Sequence, residues 1–167
     1  MKEKTHGKIS DMADVSFTFN GELISANVPD NTLLVDFIRE TLGKTGTHIG
    51  CDTSQCGACV IHINRESIKS CSILAVMANG QDVTSIEGVS NDDEMHPMQQ
   101  AFHENHGLQC GFCTPGMVMT AIELVTKNPI ASEQEIREGL EGNICRCTGY
   151  HNIVKSIQAA AKVMAEK

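Results

Sequence analysis

The chain has 167 residues, a formal net charge of −8, no Trp and only 4% aromatic residues. That length suits one domain or two small ones, and the scarcity of aromatics argues against a single large aromatic-rich core. The acidic balance excludes binding of nucleic acid by phosphate neutralisation, and no run of about eighteen apolar residues is available for a membrane span.

Residues 1–12 are polar and charged and read as a disordered lead-in. They hold neither the apolar stretch of a secretory signal nor an Arg-Arg pair, so cytoplasmic residence is expected. Val15-Ser16-Phe17-Thr18-Phe19 alternates apolar and polar, the signal of a half-buried strand. Asn20-Gly21 then joins it to the run from Glu22 to Val28, which predicts a hairpin whose second strand ends at Pro29. Thr32 is the expected N-cap of a helix over residues 32–42, with Leu34, Phe37, Ile38 and Leu42 on one face and Gly43 as its stop. After a cysteine-rich loop, residues 60–63 form a strand, Asn64-Arg65-Glu66 a turn into a return strand, residues 71–77 a short helix and residues 83–86 a last strand. These elements describe a small α+β unit of the β-grasp, ferredoxin-like kind over residues 13–90.

Residues 91–95 form a polar linker without periodicity. Beyond it, over residues 96–167, the pattern is helical throughout. A first helix over residues 97–106 turns Met98, Ala101 and Phe102 inward and stops at Gly107. A second starts at Thr114-Pro115, an N-cap followed by Pro, with Val118, Ala121, Ile122 and Val125 on one face. A third opens on the capping box Ser132-x-x-Glu135, and a fourth covers residues 151–165 with Ile153, Ile157, Ala160 and Met164 on one stripe. Four short helices in two pairs predict a small all-α bundle. His103 and His106 share a helical face but have no Cys or carboxylate partners, so they read as surface or capping groups, and the eight Met as core filler.

The eight cysteines divide into two sets of four. Cys51, Cys56, Cys59 and Cys71 follow the C-x4-C-x2-C plus distant Cys spacing of a plant-type [2Fe–2S] site, where one tight loop supplies three thiolates and a separate segment the fourth. Gly50 and Gly57 flank the ligands and let the backbone wrap closely. Cys110-x2-Cys113 and Cys145-x-Cys147 make the second set, just ahead of the second and fourth helices of the bundle. If those helices are neighbours, four thiolates meet at helix N-termini, whose free N–H groups favour negative charge. Arg146, between two ligands, helps to offset that charge. For this second set taken alone, a structural zinc site stands as the alternative. In a cytoplasmic protein either metal reading outranks disulfides.

Gly50-Cys51 with Cys56-Gly57-Ala58-Cys59, the run from Gln109 to Met117 and the run from Gly142 to Tyr150 together resemble the iron–sulfur subunit of the molybdenum hydroxylases, the xanthine oxidase family, over roughly residues 14–163. The resemblance implies a ferredoxin-like domain followed by a four-helix domain, each with one [2Fe–2S] cluster. It implies partners too: a large subunit with molybdopterin, as its cytosine dinucleotide, facing the second cluster, and a medium subunit with FAD facing the first. The implied assembly is a dimer of such heterotrimers. Electrons would pass from the molybdopterin site through both clusters to FAD, with no acid, base or nucleophile on this chain. The matching Gln in the family hydrogen-bonds the pterin, which assigns that role to Gln109, and Cys147 is expected to meet the pterin edge through its sulfur.

Ser54 stands where many members carry Gly. The Asp52-Thr53-Ser54-Gln55 insert, with residues 67–71 and 77–80, looks most like the small subunit of aerobic carbon monoxide dehydrogenase, although Val60 replaces the usual Thr. That type of enzyme is the expected function. Subunits of aldehyde or N-heterocycle dehydrogenases (nicotine-, quinoline- or xanthine-like) are the alternative, and a free-standing two-cluster carrier is the rival of another class. An exposed apolar face around Gly111, Phe112 and Met117 would speak for obligate assembly.

Overall fold

The computed structural model describes residues 11–90 and 94–166. The first part is a mixed five-stranded sheet with strand order β2-β1-β5-β3-β4. β1 (Met12–Phe19) and β2 (Glu22–Pro29) form the expected hairpin. Its turn residues Asn20 (φ 49°) and Gly21 (φ 86°) both occupy the left-handed region, the geometry that matches the twist of paired strands. Most of the lead-in, residues 1–10, lies outside the described residues, while Met12 already pairs with Pro29. β3 (Val60–Ile63) and β4 (Glu66–Lys69) make a second hairpin. β5 (Asp82–Thr84) lies between the hairpins, parallel to β1 and antiparallel to β3. The last strand thus ends before Ser85, where the chain turns into a short 3₁₀ segment, Ile86–Gly88.

Strand alternation puts Val15, Phe17 and Phe19 on the covered face, where they meet Leu34, Phe37, Ile38, Ile61 and Val83. Phe17 and Phe37 pack as tilted rings 5.6 Å apart. Burying each of these side chains contributes on the order of 1.5–3 kcal/mol. The helix that crosses the sheet begins later than expected. Leu33 stays extended (φ −67°, ψ 144°) because it bridges to Leu74, so Leu33 and not Thr32 is the N-cap, and the Thr32 hydroxyl donates to the Pro29 carbonyl at 2.7 Å. α1 (Leu34–Asp36) then widens into a π-helical turn, Phe37–Thr41, closed by Leu42 N–H to Phe37 O at 3.0 Å. The same Leu33–Leu74 bridge splits the expected helix over residues 71–77 into two 3₁₀ turns, Ser70–Ser72 and Ala75–Ala78.

The linker expected at residues 91–95 falls partly on residues 91–93, outside the described residues. Beyond it come α2 (Pro97–Glu104), α3 (Thr114–Lys127), α4 (Glu133–Gly139) and α5 (His151–Ala165). Met98, Phe102, Met117, Val118, Ile136, Leu140, Ile153 and Ile157 are the large members of their shared core. His96 caps α2, and the capping box of α4 forms between Ser132 and Glu135. Thr114 does not cap α3. Cys113 holds that position in a helical conformation, Thr114 lies inside the first turn, and its buried hydroxyl has no hydrogen-bond partner. His103 and His106 are exposed. No helix among the described residues is long and apolar enough to cross a membrane.

α3 packs across β3 and β4, and three sets of contacts bind the two parts. The buried His62 ring bonds the Met119 carbonyl through Nε2 at 2.8 Å. The Glu123 carboxylate accepts from the Ser67 amide at 2.8 Å and pairs with Lys127, which also reaches Glu66 at 2.7 Å. Burial opposes charge on Glu123, but the Lys127 ammonium and the Ser67 amide outweigh it and hold the carboxyl down at about 2, below its ordinary 4.5. A depressed carboxylate stabilises the fold above its unfolded value and loses that contribution as pH falls through its folded value. Glu123→Ala should therefore lower the thermal midpoint at pH 7 by about 2–8 °C, as expected for roughly 1–2 kcal/mol of charge-assisted bonding. The gap to the parent should close progressively below pH 4.5 and vanish near pH 2. Differential scanning calorimetry across that range measures it.

Candidate functional site

The third contact is the seam on which both cysteine sets lie. Gly57, with φ +71°, turns the first cysteine loop against the second part of the chain. A Cβ on Gly57 would stand 2.3 Å from the Gly142 carbonyl oxygen, and one on Gly116 would stand 2.1 Å from the Gly57 carbonyl oxygen. At Gly57 and Gly116 the backbones therefore approach as only glycine allows. Asn143, buried, donates from Nδ2 to Gly57 O at 3.2 Å and accepts from the Thr120 hydroxyl at 3.0 Å. The Ile144 amide donates to the Cys56 carbonyl at 2.9 Å. Cys56 belongs to the first set and Ile144 precedes Cys145 of the second, so one hydrogen bond links the two sets.

Within each set the thiols come in pairs. Cys51 lies with Cys56, whose amide donates to Cys51 Sγ at 3.4 Å, and Cys59 lies with Cys71. Cys110 Sγ is 3.5 Å from Cys147 Sγ, and Cys113 lies with Cys145. Among the described residues no two cysteines are bridged, and no three His, Cys, Asp or Glu side chains gather as one metal ion requires. Tetrahedral zinc with Zn–S bonds near 2.3 Å would draw four sulfurs to within about 3.8 Å of one another. Thiols that gather two by two, with no third in the group, instead match a two-iron centre in which each iron takes two thiolates. The residues present fit that group at both positions.

Donors are aimed at the sulfurs. Amides of Cys56 and Thr53, the Cys56 thiol and the Gln55 amide hold the Cys51 thiol down at about 6. Burial pushes Cys59 up to about 11, while burial and the neighbouring Cys145 push Cys113 up to about 12. Burial opposes ionisation of Cys145 as well, but the Thr148 hydroxyl, 3.1 Å from its sulfur, and the Thr148 and Cys147 amides lower it below its ordinary value. The Cys147 thiol is raised by sharing its proton with Cys110. Tyr150 (φ +67°) closes the second loop: its hydroxyl accepts from the Cys145 amide at 2.9 Å and donates to the Asn143 carbonyl at 3.0 Å.

The two sets differ in exposure. Cys59 is buried, whereas Cys110 and Cys147 are exposed, as are Gln109 and Arg146 beside them. A cavity of about 200 Å³ opens between the sets, lined among others by Cys56, Phe112, Ile144 and Arg146. Phe112 (47% exposed) stacks on His48 at 4.7 Å, and Ile49 and Ile144 are also exposed. The apolar face around Gly111, Phe112 and Met117 that would speak for obligate assembly is present only in part. Phe112 contributes to it, but Met117 is fully buried because it sits on the core side of α3, and Ile144 takes its place. His62, Glu123 and Asn143 escaped the sequence reading as seam residues. Asn143 alone carried a signal, lying inside the Gly142–Tyr150 motif.

Residues 17–84 match the 2Fe-2S iron–sulfur cluster binding domain, and residues 85–158 match the [2Fe-2S] binding domain. The chain is 47% identical over 150 residues to caffeine dehydrogenase subunit gamma of Pseudomonas sp. (strain CBB1), covering 88% of this chain and 90% of that one. This chain belongs to the small iron–sulfur subunits of the molybdenum hydroxylase family. It is also 37% identical to the nicotine 6-hydroxylase small subunit of Paenarthrobacter nicotinovorans, over 95% of both chains. Its structure superposes on quinoline 2-oxidoreductase from Pseudomonas putida 86 with a TM-score of 0.90 at 40% identity, covering 94% of this chain and 98% of that one. It is thus a non-catalytic, electron-transferring subunit of an oxidoreductase complex, with two 2Fe-2S binding domains. The free-standing carrier reading gives way to that membership, and the carbon monoxide dehydrogenase reading to relatives named for other substrates.

Proposed function

We propose that this subunit serves a molybdenum-dependent dehydrogenase acting on an N-heterocycle, a purine- or pyridine-like ring. The reading rests on its likeness to the caffeine, nicotine and quinoline enzymes. An aldehyde substrate is the second reading, favoured by 39% identity over 157 residues to an aldehyde oxidoreductase iron–sulfur subunit of Escherichia coli. Cys51, Cys56, Cys59 and Cys71 would hold one [2Fe–2S] group, and Cys110, Cys113, Cys145 and Cys147 the other. Bound there, each supplies one-electron storage. The observation that carries the relay is the Ile144–Cys56 hydrogen bond, which couples the two sets across the glycine seam.

The exposed face at Gln109, Cys110 and Cys147 is assigned to a large subunit carrying molybdopterin as its cytosine dinucleotide, and the first set to a medium subunit carrying FAD. A dimer of such heterotrimers, in the cytoplasm, suits eight unbridged thiols. Co-expression with both partner subunits and assay of acceptor reduction on N-heterocycles, aldehydes and carbon monoxide test the reading. Fastest turnover should be on an N-heterocycle. Preference for carbon monoxide, or turnover by the isolated chain, would refute it.

Gln109 precedes Cys110 in the loop that leads into α3, and its amide can donate and accept at once, as the edge of a pterin requires. Gln109→Ala should slow substrate-driven reduction of the second centre, or loosen the pterin, at unchanged iron content. Rapid-freeze EPR against substrate measures this.

A further inference from the structure

Ser54 stands two residues before Cys56 with φ +56°, in the left-handed region where glycine sits without strain. A serine there carries a conformational cost that nothing in the turn itself requires. Its hydroxyl lies 3.5 Å from the sulfur of Cys71, the one member of the first set that comes from outside the loop. The segment bearing Cys71 is held to the loop at further points. Lys69 Nζ donates to the carbonyls of Ser54 at 2.9 Å and Gln55 at 3.3 Å, and the Ser70 hydroxyl donates to the Cys59 carbonyl at 2.7 Å. The left-handed turn at Ser54 therefore serves two purposes: its carbonyl meets an ammonium and its side chain meets a sulfur.

A thiolate has no proton to give, so toward a ligating Cys71 only the hydroxyl can donate. A hydrogen bond to a ligand sulfur stabilises the more electron-rich, reduced form of an iron–sulfur centre. We propose that Ser54 is a positioning residue that raises the reduction potential of the centre held by Cys51, Cys56, Cys59 and Cys71, through its hydroxyl on Cys71. Raising that centre favours electron flow toward it from the second set, across the Ile144–Cys56 link. The inference rests on the first set holding a [2Fe–2S] group, which iron and sulfide analysis of the parent complex tests separately.

The test is an EPR-monitored redox titration of the assembled complex carrying Ser54→Ala or Ser54→Gly. Alanine keeps the left-handed strain and loses the hydroxyl, whereas glycine loses both. Both variants should keep full iron, leave one of the two signals in place and lower the midpoint of the other by a similar amount. A reduced-to-oxidised ratio about threefold smaller at fixed potential corresponds to about 28 mV at 59 mV per tenfold. Unmoved midpoints, movement of both signals, or a shift in the alanine variant that glycine abolishes would each overturn the proposal. So would loss of one centre's iron from the glycine variant, which would make the hydroxyl a requirement of assembly.

Discussion

Replacing Cys113 by Ala should remove one of the two iron–sulfur centres and with it the electron relay. Cys113 is the N-cap of α3 and pairs with Cys145. Its thiol is pushed up to about 12 by burial and by that neighbour, so only a metal draws off its proton. Without it, one side of the second centre is left with Cys145 alone. Losing a supporting partner of a metal ligand costs about 10–100-fold in affinity, and losing the ligand itself costs more. The assembled enzyme should therefore contain about two irons and two sulfides per chain instead of about four of each. One of two EPR signals should disappear, and acceptor reduction should fall by more than about 100-fold. The core beneath is built from Met117, Val118, Ala121 and their neighbours, with Cys113 packed against it only as a partly buried residue, so the chain should still fold. Full iron with both signals intact would remove Cys113 from the ligand set.

Gly116→Ala should damage the molecule at a different level. Its new Cβ would stand 2.1 Å from the Gly57 carbonyl oxygen and 3.1 Å from the Ala58 backbone. Both obstacles are backbone of a loop already pinned by Gly57 at φ +71°, so no flexible side chain can give way. α3 must move off the first cysteine loop. That movement strains the Asn143–Gly57 and Ile144–Cys56 hydrogen bonds, the second of which is the link between the sets. Overpacking of this kind costs about 1–3 kcal/mol, and each buried hydrogen bond lost adds roughly 1 kcal/mol. A thermal midpoint lowered by about 6–20 °C is expected for a chain of this size. Electron transfer between the centres should slow while iron content stays near that of the parent. Gly142→Ala is the control on the same seam. Its Cβ would meet only the Lys69 side chain, Nζ at 3.6 Å and Cε at 3.8 Å, both ordinary contacts, so its effect should stay within about 0.5 kcal/mol. Equal damage in both variants would show that the seam is not held by close backbone approach at Gly116.

Much of the molecule was legible because its signals are local. Asn20-Gly21 specifies the first hairpin, since both residues tolerate the positive φ that the turn demands. Ser132 and Glu135 satisfy each other's orphan amides within one helical turn. The cysteine spacings name the two sets because three ligands of one, and two pairs of the other, lie within a few residues of each other. The misreadings share a cause. Thr32 carried a cap signal, yet Leu33 was held extended by Leu74, forty-one residues away. Thr114-Pro115 carried a helix start, yet the helical turn begins one residue earlier, at Cys113. Phe112 and Met117 belong to one motif, but Phe112 lies in the loop ahead of α3 and is exposed, while Met117 lies on the core side of α3 and is buried.

By itself, then, the sequence determined the hairpins, the run of helices and the two groups of four thiols, each fixed by backbone preferences or ligand spacing over short stretches of chain. Tertiary structure alone decided which thiols pair, where the halves meet and how close the two sets lie. Gly57 contacts Gly116, Gly142 and Asn143 across long stretches of chain, and no local preference reports such a contact. Those approaches follow from packing α3 over β3 and β4, where backbone must touch backbone and glycine is the residue that permits it.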